Sequence, residues 1–156
     1  MLLAAGLIGG ACTQAAAQST ACGLATAGEL RAALGASVTG LANQNAPAGA
    51  SFCSGQTPTA TVSLRLATRP GQPGDEAAAI DAARNMGIQV DLRTTGQITC
   101  STLIPPKALE RIGFNTTCAV RKNGRVAAIE VTAKTQQSMI PMERLRTVAE
   151  KMAGRF

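Results

Sequence analysis

Cys22, Cys53, Cys100 and Cys118 constrain what this chain can fold into more than any other feature. A fifth cysteine, Cys12, lies in an N-terminal segment that processing would either remove or acylate, which leaves an even set. An even set in an exported chain implies two disulfides, with three connectivities open. Neighbourhood in sequence favours Cys22–Cys53 and Cys100–Cys118, which close the shortest loops. Each bridge would stabilise the fold by about 2–4 kcal/mol. No C-x-x-C spacing occurs, so neither a thioredoxin-like motif nor a zinc ribbon is present. The competing reading is four buried free thiols in a cytosolic protein.

The case for export rests on the first residues. Met1 to Ala11 read MLLAAGLIGGA, without a charge. The run is too short for a transmembrane helix and suits the apolar region of a signal peptide. The positive region that normally precedes it is missing, so the expected start lies upstream of Met1. Two processing routes stay open. Ala15-Ala16-Ala17 is an A-x-A site, giving a leader over residues 1–17 with Gln18 first in the mature chain. Gly9-Gly10-Ala11-Cys12 resembles a bacterial lipobox, with cleavage before Cys12 and lipidation of its thiol. Residues 18–21 then form a tether to a single disulfide-stapled domain over 22–156.

Composition removes most chemistry. Histidine, tryptophan and tyrosine are all 0 in a chain of 156 residues. That excludes Ser-His-Asp and Cys-His catalysis and any His-ligated metal. None of the lysines follows a Ser or Thr by three residues, so S-x-x-K is absent too. The acids are dispersed. Asp75, Glu76 and Asp81 are the only cluster, and the first two sit where a helix start favours acids. No G-x-G-x-x-G, P-loop or calcium loop appears. No catalytic residue, cofactor or metal is expected. The formal charge of +6 permits binding to nucleic acid, anionic lipid or an acidic partner. The arginines are scattered without interleaved aromatics, which argues against nucleic acid.

Elements are readable along the chain. Thr26-Ala27-Gly28-Glu29 is a capping box, followed by Leu30, Ala33 and Leu34 on one face and a stop at Gly35. Residues 36–50 read as a loop, and Ser51 to Ser54 as a short strand carrying Cys53. Thr59 to Arg69 alternates cleanly and predicts a strand with one wet face. A turn over Pro70–Gly74 precedes a helix from Asp75 to Gly87. Ile88 to Arg93 alternates again, Cys100 falls in a following strand or turn, and Lys107 to Ile112 reads as a short helical piece. Asn123-Gly124 is the preferred type I′ pair between Phe114–Lys122 and Arg125–Lys134. Ala127, Ile129 and Val131 are assigned to the core face. A last helix begins near Pro141, with Met142, Leu145, Val148, Ala149 and Met152 as its apolar stripe. The expected class is α+β, an antiparallel sheet packed by two to three helices.

The layout resembles small bacterial envelope domains of the DUF3558-type lipoprotein family. The resemblance is carried by Cys22-Gly-Leu-Ala-Thr-Ala-Gly-Glu-Leu-Arg-Ala-Ala-Leu-Gly35, by Cys53 on the next strand, and by a final helix after an N-G hairpin. It covers most of Cys22 to Phe156, and such domains relate loosely to the Mog1/PsbP-like sandwich. It implies an extracytoplasmic, non-catalytic module and gives no ligand. Three features depart from the pattern: Gly9 in the lipobox, the second bridge, and Phe52 just before Cys53 rather than after it.

Two segments are candidate partner surfaces. Arg121, Lys122 and Arg125 surround the Asn123-Gly124 turn and could dock on an acidic protein or a lipid headgroup, against the plainer reading of a solvated hairpin end. Gln44 to Ala50 is long and structureless, as binding loops often are. Together these readings predict an exported protein-binding or structural module of the bacterial envelope, in the periplasm, on the surface or secreted. Its partner would be another envelope protein, and its contact with membrane would run only through a lipid at Cys12. A periplasmic small-ligand carrier, or a thiol-redox protein using a strained disulfide at Cys100 or Cys118, is the alternative.

Overall fold

The computed structural model describes residues 20–68 and 75–156. The expected leader, the lipidation site Cys12 and the Pro70–Gly74 turn lie outside the described residues. The last residue of the expected tether, Ala21, lies within them and is fully buried, its N–H donating to Ser51 Oγ at 3.0 Å.

Seven strands form one antiparallel sheet: β1 Thr39–Gln44, β2 Ala50–Gln56, β3 Ala60–Ala67, β4 Gln89–Thr95, β5 Ile98–Ile104, β6 Phe114–Lys122 and β7 Arg125–Ala133. Three α-helices accompany them: α1 Ala27–Leu34, α2 Asp75–Asn85 and α3 Met142–Met152. Short 3-10 turns occur at Ala21–Gly23, Lys107–Ile112 and Gln136–Ser138. The strand order β1-β2-β3-β7-β6-β5-β4 joins two meanders. One runs β1 to β3, the other β4 to β7, and α2 lies on the connection between them. The expected α+β class, with an antiparallel sheet, about three helices and both cysteine pairings, is the observed one.

Two strands exceed the sequence reading. The segment read as a loop over 36–50 contains β1, and Cys100 sits in the centre of a full strand, β5. β1 is Thr-Gly-Leu-Ala-Asn-Gln, almost wholly exposed, so no apolar alternation marks it. β5 hides its alternation because the buried position is a cysteine between threonines and serines.

Local chemistry explains the ends. Thr26 Oγ1 accepts from Glu29 N–H at 3.2 Å, and the Glu29 carboxylate accepts from Thr26 N–H at 2.9 Å. Gly35 closes α1 in the left-handed region at φ 72°. The type I′ turn has Asn123 at φ 50° and Gly124 at φ 71°. Pro141 stands at the N-cap of α3, one residue before its first turn. The buried residues of α3 are the predicted stripe, Met142, Leu145, Val148, Ala149 and Met152.

The core lies on one face of the sheet. α3 covers β5, β6 and β7, the Ala21–Gly23 turn covers the β1–β3 half, and α1 packs against α3. A row of directly opposed residues crosses every strand: Asn43, Cys53, Leu64, Ile129, Cys118, Cys100 and Arg93. Its five inner members are buried, and the two on the edge strands are exposed. The other face carries Thr61, Ser63, Arg65, Thr117, Glu130 and Thr132. α2 lies on this side against β4, with Ala79, Ile80 and Ala83 toward Val90, Leu92 and Leu103.

Candidate functional site

The predicted basic hairpin end is built into the fold. Lys122 Nζ donates to Ala153 O at 2.9 Å and lies 6.0 Å from the Phe156 ring centre. The Arg125 guanidinium stands 5.7 Å from the same ring. Two of the three predicted cations thus hold the C-terminal aromatic through cation–π contact. Arg121 is exposed, and its main-chain N–H donates to Gln97 O at 3.0 Å. The second predicted surface, Gln44 to Ala50, is a tied β1–β2 connection, with Thr68 Oγ1 donating to Gly49 O at 2.8 Å.

Three of the four bridging cysteines are buried, and Cys22 is half-buried. Cys22–Cys53 fastens the Ala21–Gly23 turn to β2, and Cys100–Cys118 joins directly opposed residues of β5 and β6. Cys53 and Cys118 have no exposed surface and Cys100 has 3%. A recess of about 40 Å³ adjoins Cys100, edged by Arg93, Glu143 and Arg146. That is room for about one water. Arg93 bridges Asp91 at 3.0 Å and Glu143 at 3.4 Å.

A cleft of about 170 Å³ separates α1 from α3. Ala32, Ala33 and Val148 give it an apolar floor, and Arg144, Thr147 and Lys151 stand on the α3 side. Beside it, at Glu29 and Lys151, lies a charge cluster that sequence reading missed. Arg155 grips the Glu29 carboxylate with both terminal nitrogens, at 2.7 and 2.8 Å, and Lys151 adds a contact at 3.8 Å. Arg155 also donates to Leu24 O at 2.7 Å. The Arg155 hydrogen bonds, aided by the Thr26 N–H, hold the Glu29 carboxyl at a pKa of about 2. The only sequence signal for Glu29 was its capping-box role; its partner is far away in the chain. Arg144 forms no side-chain hydrogen bond or ion pair among the described residues, so its charge is presented to solvent.

A second groove, about 160 Å³, runs between α2 and the sheet, lined by Ile80, Ala83, Val90, Leu92, Ser101 and Leu103. Leu92 is 42% exposed, and Met86, just beyond the end of α2, is 57% exposed. Among the described residues no group of three or more Cys, Asp and Glu is placed to hold a metal ion.

What the fold and these surfaces define is a class: a disulfide-stapled α+β domain that folds in an oxidising, extracytoplasmic compartment. No helix of the described residues is long and apolar enough to cross a membrane. Comparison with protein-family models, curated proteins and solved structures gives no match to this chain.

Proposed function

We propose that this chain is an exported, non-catalytic protein-binding module of the bacterial cell envelope, an accessory subunit that works by contact with another envelope protein. The α1–α3 cleft is its binding surface, and the ligand is an apolar segment carrying acidic residues. The observation that carries this reading is the pairing of an apolar floor, Ala32, Ala33 and Val148, with the uncompensated Arg144 guanidinium beside it. An excess of cations, net +6, favours encounter with an acidic partner. The burial of Cys53, Cys100 and Cys118, with Cys22 half-buried, fits sulfurs kept for structure, since a redox centre needs an accessible sulfur. The two grooves are open and smaller than the roughly 300–1,000 Å³ of typical ligand sites, which favours contact over carriage.

The test is a photo-crosslinking residue at Thr147, an exposed position in the cleft, in protein expressed in its own envelope. The expected product is an adduct with a peptide containing apolar and acidic residues, lost when Ala32→Trp fills the cleft and weakened by Arg144→Glu. An adduct unchanged by both substitutions, or none at all, overturns the assignment.

A further inference from the structure

The two edges of the sheet are unlike. An edge strand presents unpaired N–H and C=O groups, and proteins commonly blunt it with a bulge, proline or charged side chains. β1 is blunted: its pairing with β2 shifts register between Thr39 and Ala42, and Gly40 lies at φ 65°. β4 has neither bulge nor proline: it pairs with β5 without a shift along its whole length, and its two charges, Asp91 and Arg93, are of opposite sign, so a second copy of the strand can match them.

The ladder fixes which groups of β4 point outward. Arg121 N–H donates to Gln97 O, so Thr99, Ser101 and Leu103 bond toward β6 by the antiparallel alternation. Ile98, Cys100, Thr102 and Ile104 then bond toward β4, at Thr95, Arg93, Asp91 and Gln89. The main-chain groups of Val90, Leu92 and Thr94 are left facing away from the sheet. Leu92 is 42% exposed on the α2 side. Asp91 and Arg93 are exposed on the opposite side, 3.0 Å apart.

We propose that β4 is the interface of a homodimer in which two copies pair antiparallel about a twofold axis at Leu92, continuing one sheet through both chains. In this register Leu92 opposes the partner's Leu92, Val90 opposes the partner's Thr94, and all of these residues exchange both main-chain bonds. Asp91 opposes the partner's Arg93, and symmetry repeats the pair. Charge also selects the register. A slip of two residues one way sets Asp91 against the partner's Asp91, and the other way Arg93 against the partner's Arg93. The pairing buries the exposed leucine and places the two α2 grooves side by side. It does not depend on the α1–α3 cleft, which lies on the other face.

The test is sedimentation equilibrium on the purified protein over micromolar to millimolar concentrations, with circular dichroism confirming that each variant folds. Wild type is expected to dimerise. Thr94→Pro removes an N–H that the monomer does not use and is expected to be monomeric. Asp91→Arg and Arg93→Asp each place like charges opposite one another twice, and each is expected to raise the dimer Kd about tenfold. The double variant Asp91→Arg/Arg93→Asp restores opposite charges and is expected to return the Kd to within about threefold of wild type. If Thr94→Pro fails to fold, the charge series decides alone. A wild type that stays monomeric, even one that captures an extended peptide on β4, overturns the proposal. So does a double variant as weak as the single ones.

Discussion

Removing each disulfide separately tests the reading at its base. Cys22–Cys53 spans 31 residues of separation and Cys100–Cys118 spans 18. Loop-closure entropy in the unfolded chain gives about 3.7 kcal/mol for the first bridge and about 3.2 kcal/mol for the second. A gap of about 0.5 kcal/mol is too small to set their order, so the native contacts decide it. Cys100 and Cys118 oppose each other in a ladder whose main-chain bonds survive without the bridge. Cys22 sits in a turn whose hold on β2 is otherwise the Ala21–Ser51 hydrogen bond and packing. The Cys22→Ala/Cys53→Ala variant is therefore expected to lose the larger amount, about 4 kcal/mol. The Cys100→Ala/Cys118→Ala variant should lose about 3 kcal/mol. At roughly 3–4 °C per kcal/mol for a domain of this size, the melting temperature falls by about 10–15 °C in each case. Urea unfolding measures both, and m should rise because the freed chain exposes more surface. Hydrogen exchange adds a spatial check. Loss of the first bridge should raise exchange in α1 and β1 before β5 and β6. Variants within about 1 kcal/mol of wild type would refute the reasoning, as would wild-type thiols that react with maleimide without reductant.

Three further outcomes follow from single residues. Glu29 titrates near 2 in the folded protein against an ordinary 4.5, so its ionised form stabilises the fold above pH 4.5 and that contribution disappears as pH falls toward 2. With Arg155 about a third exposed, Glu29→Gln should cost about 1–2 kcal/mol at pH 7 and nearly nothing at pH 2, read from urea midpoints at each pH. Leu145→Ala empties a fully buried position of α3 and should cost about 2–5 kcal/mol in the same assay. Gly113 lies at φ 86°, and a Cβ there would collide with Thr132 Cγ2, so Gly113→Ala should cost about 2–3 kcal/mol while an alanine at open Gly28 costs nothing.

Legibility in the sequence tracked the range of the forces involved. The Thr26–Glu29 box, the Asn123-Gly124 turn and the α3 stripe are satisfied within a few residues, and each formed where its pattern placed it. β1 left no pattern, because an exposed edge strand is stabilised by its backbone pairing with β2. Strand order was equally silent, since β3 meets β7 across a long stretch of chain and nothing local encodes that partner. The basic hairpin was visible as charge, but its use was not. Phe156 and the Ala153 carbonyl meet Lys122 only after α3 has crossed the sheet. The α1–α3 cleft was likewise invisible, because its two walls come from opposite ends of the domain.

The near-absence of aromatic residues gains its meaning from the row Cys53, Leu64, Ile129, Cys118 and Cys100. A sheet packed under α1 and α3 needs its central row filled to interior density. Large rings usually do this, but only Phe114 is buried here, at the end of β6, while Phe156 caps the basic hairpin. Sulfur takes that place. Three of the five row members are half-cystines, and the fourth half-cystine, Cys22, reaches down onto Cys53 from above. The bridges are thus part of the packing as well as staples on the chain. Reduction would remove the crosslinks and leave polarisable thiols loosely filling the same row, with no rings to compensate. The dependence of this fold on an oxidising compartment therefore comes from its core, and the compartment can be inferred from how the core is filled.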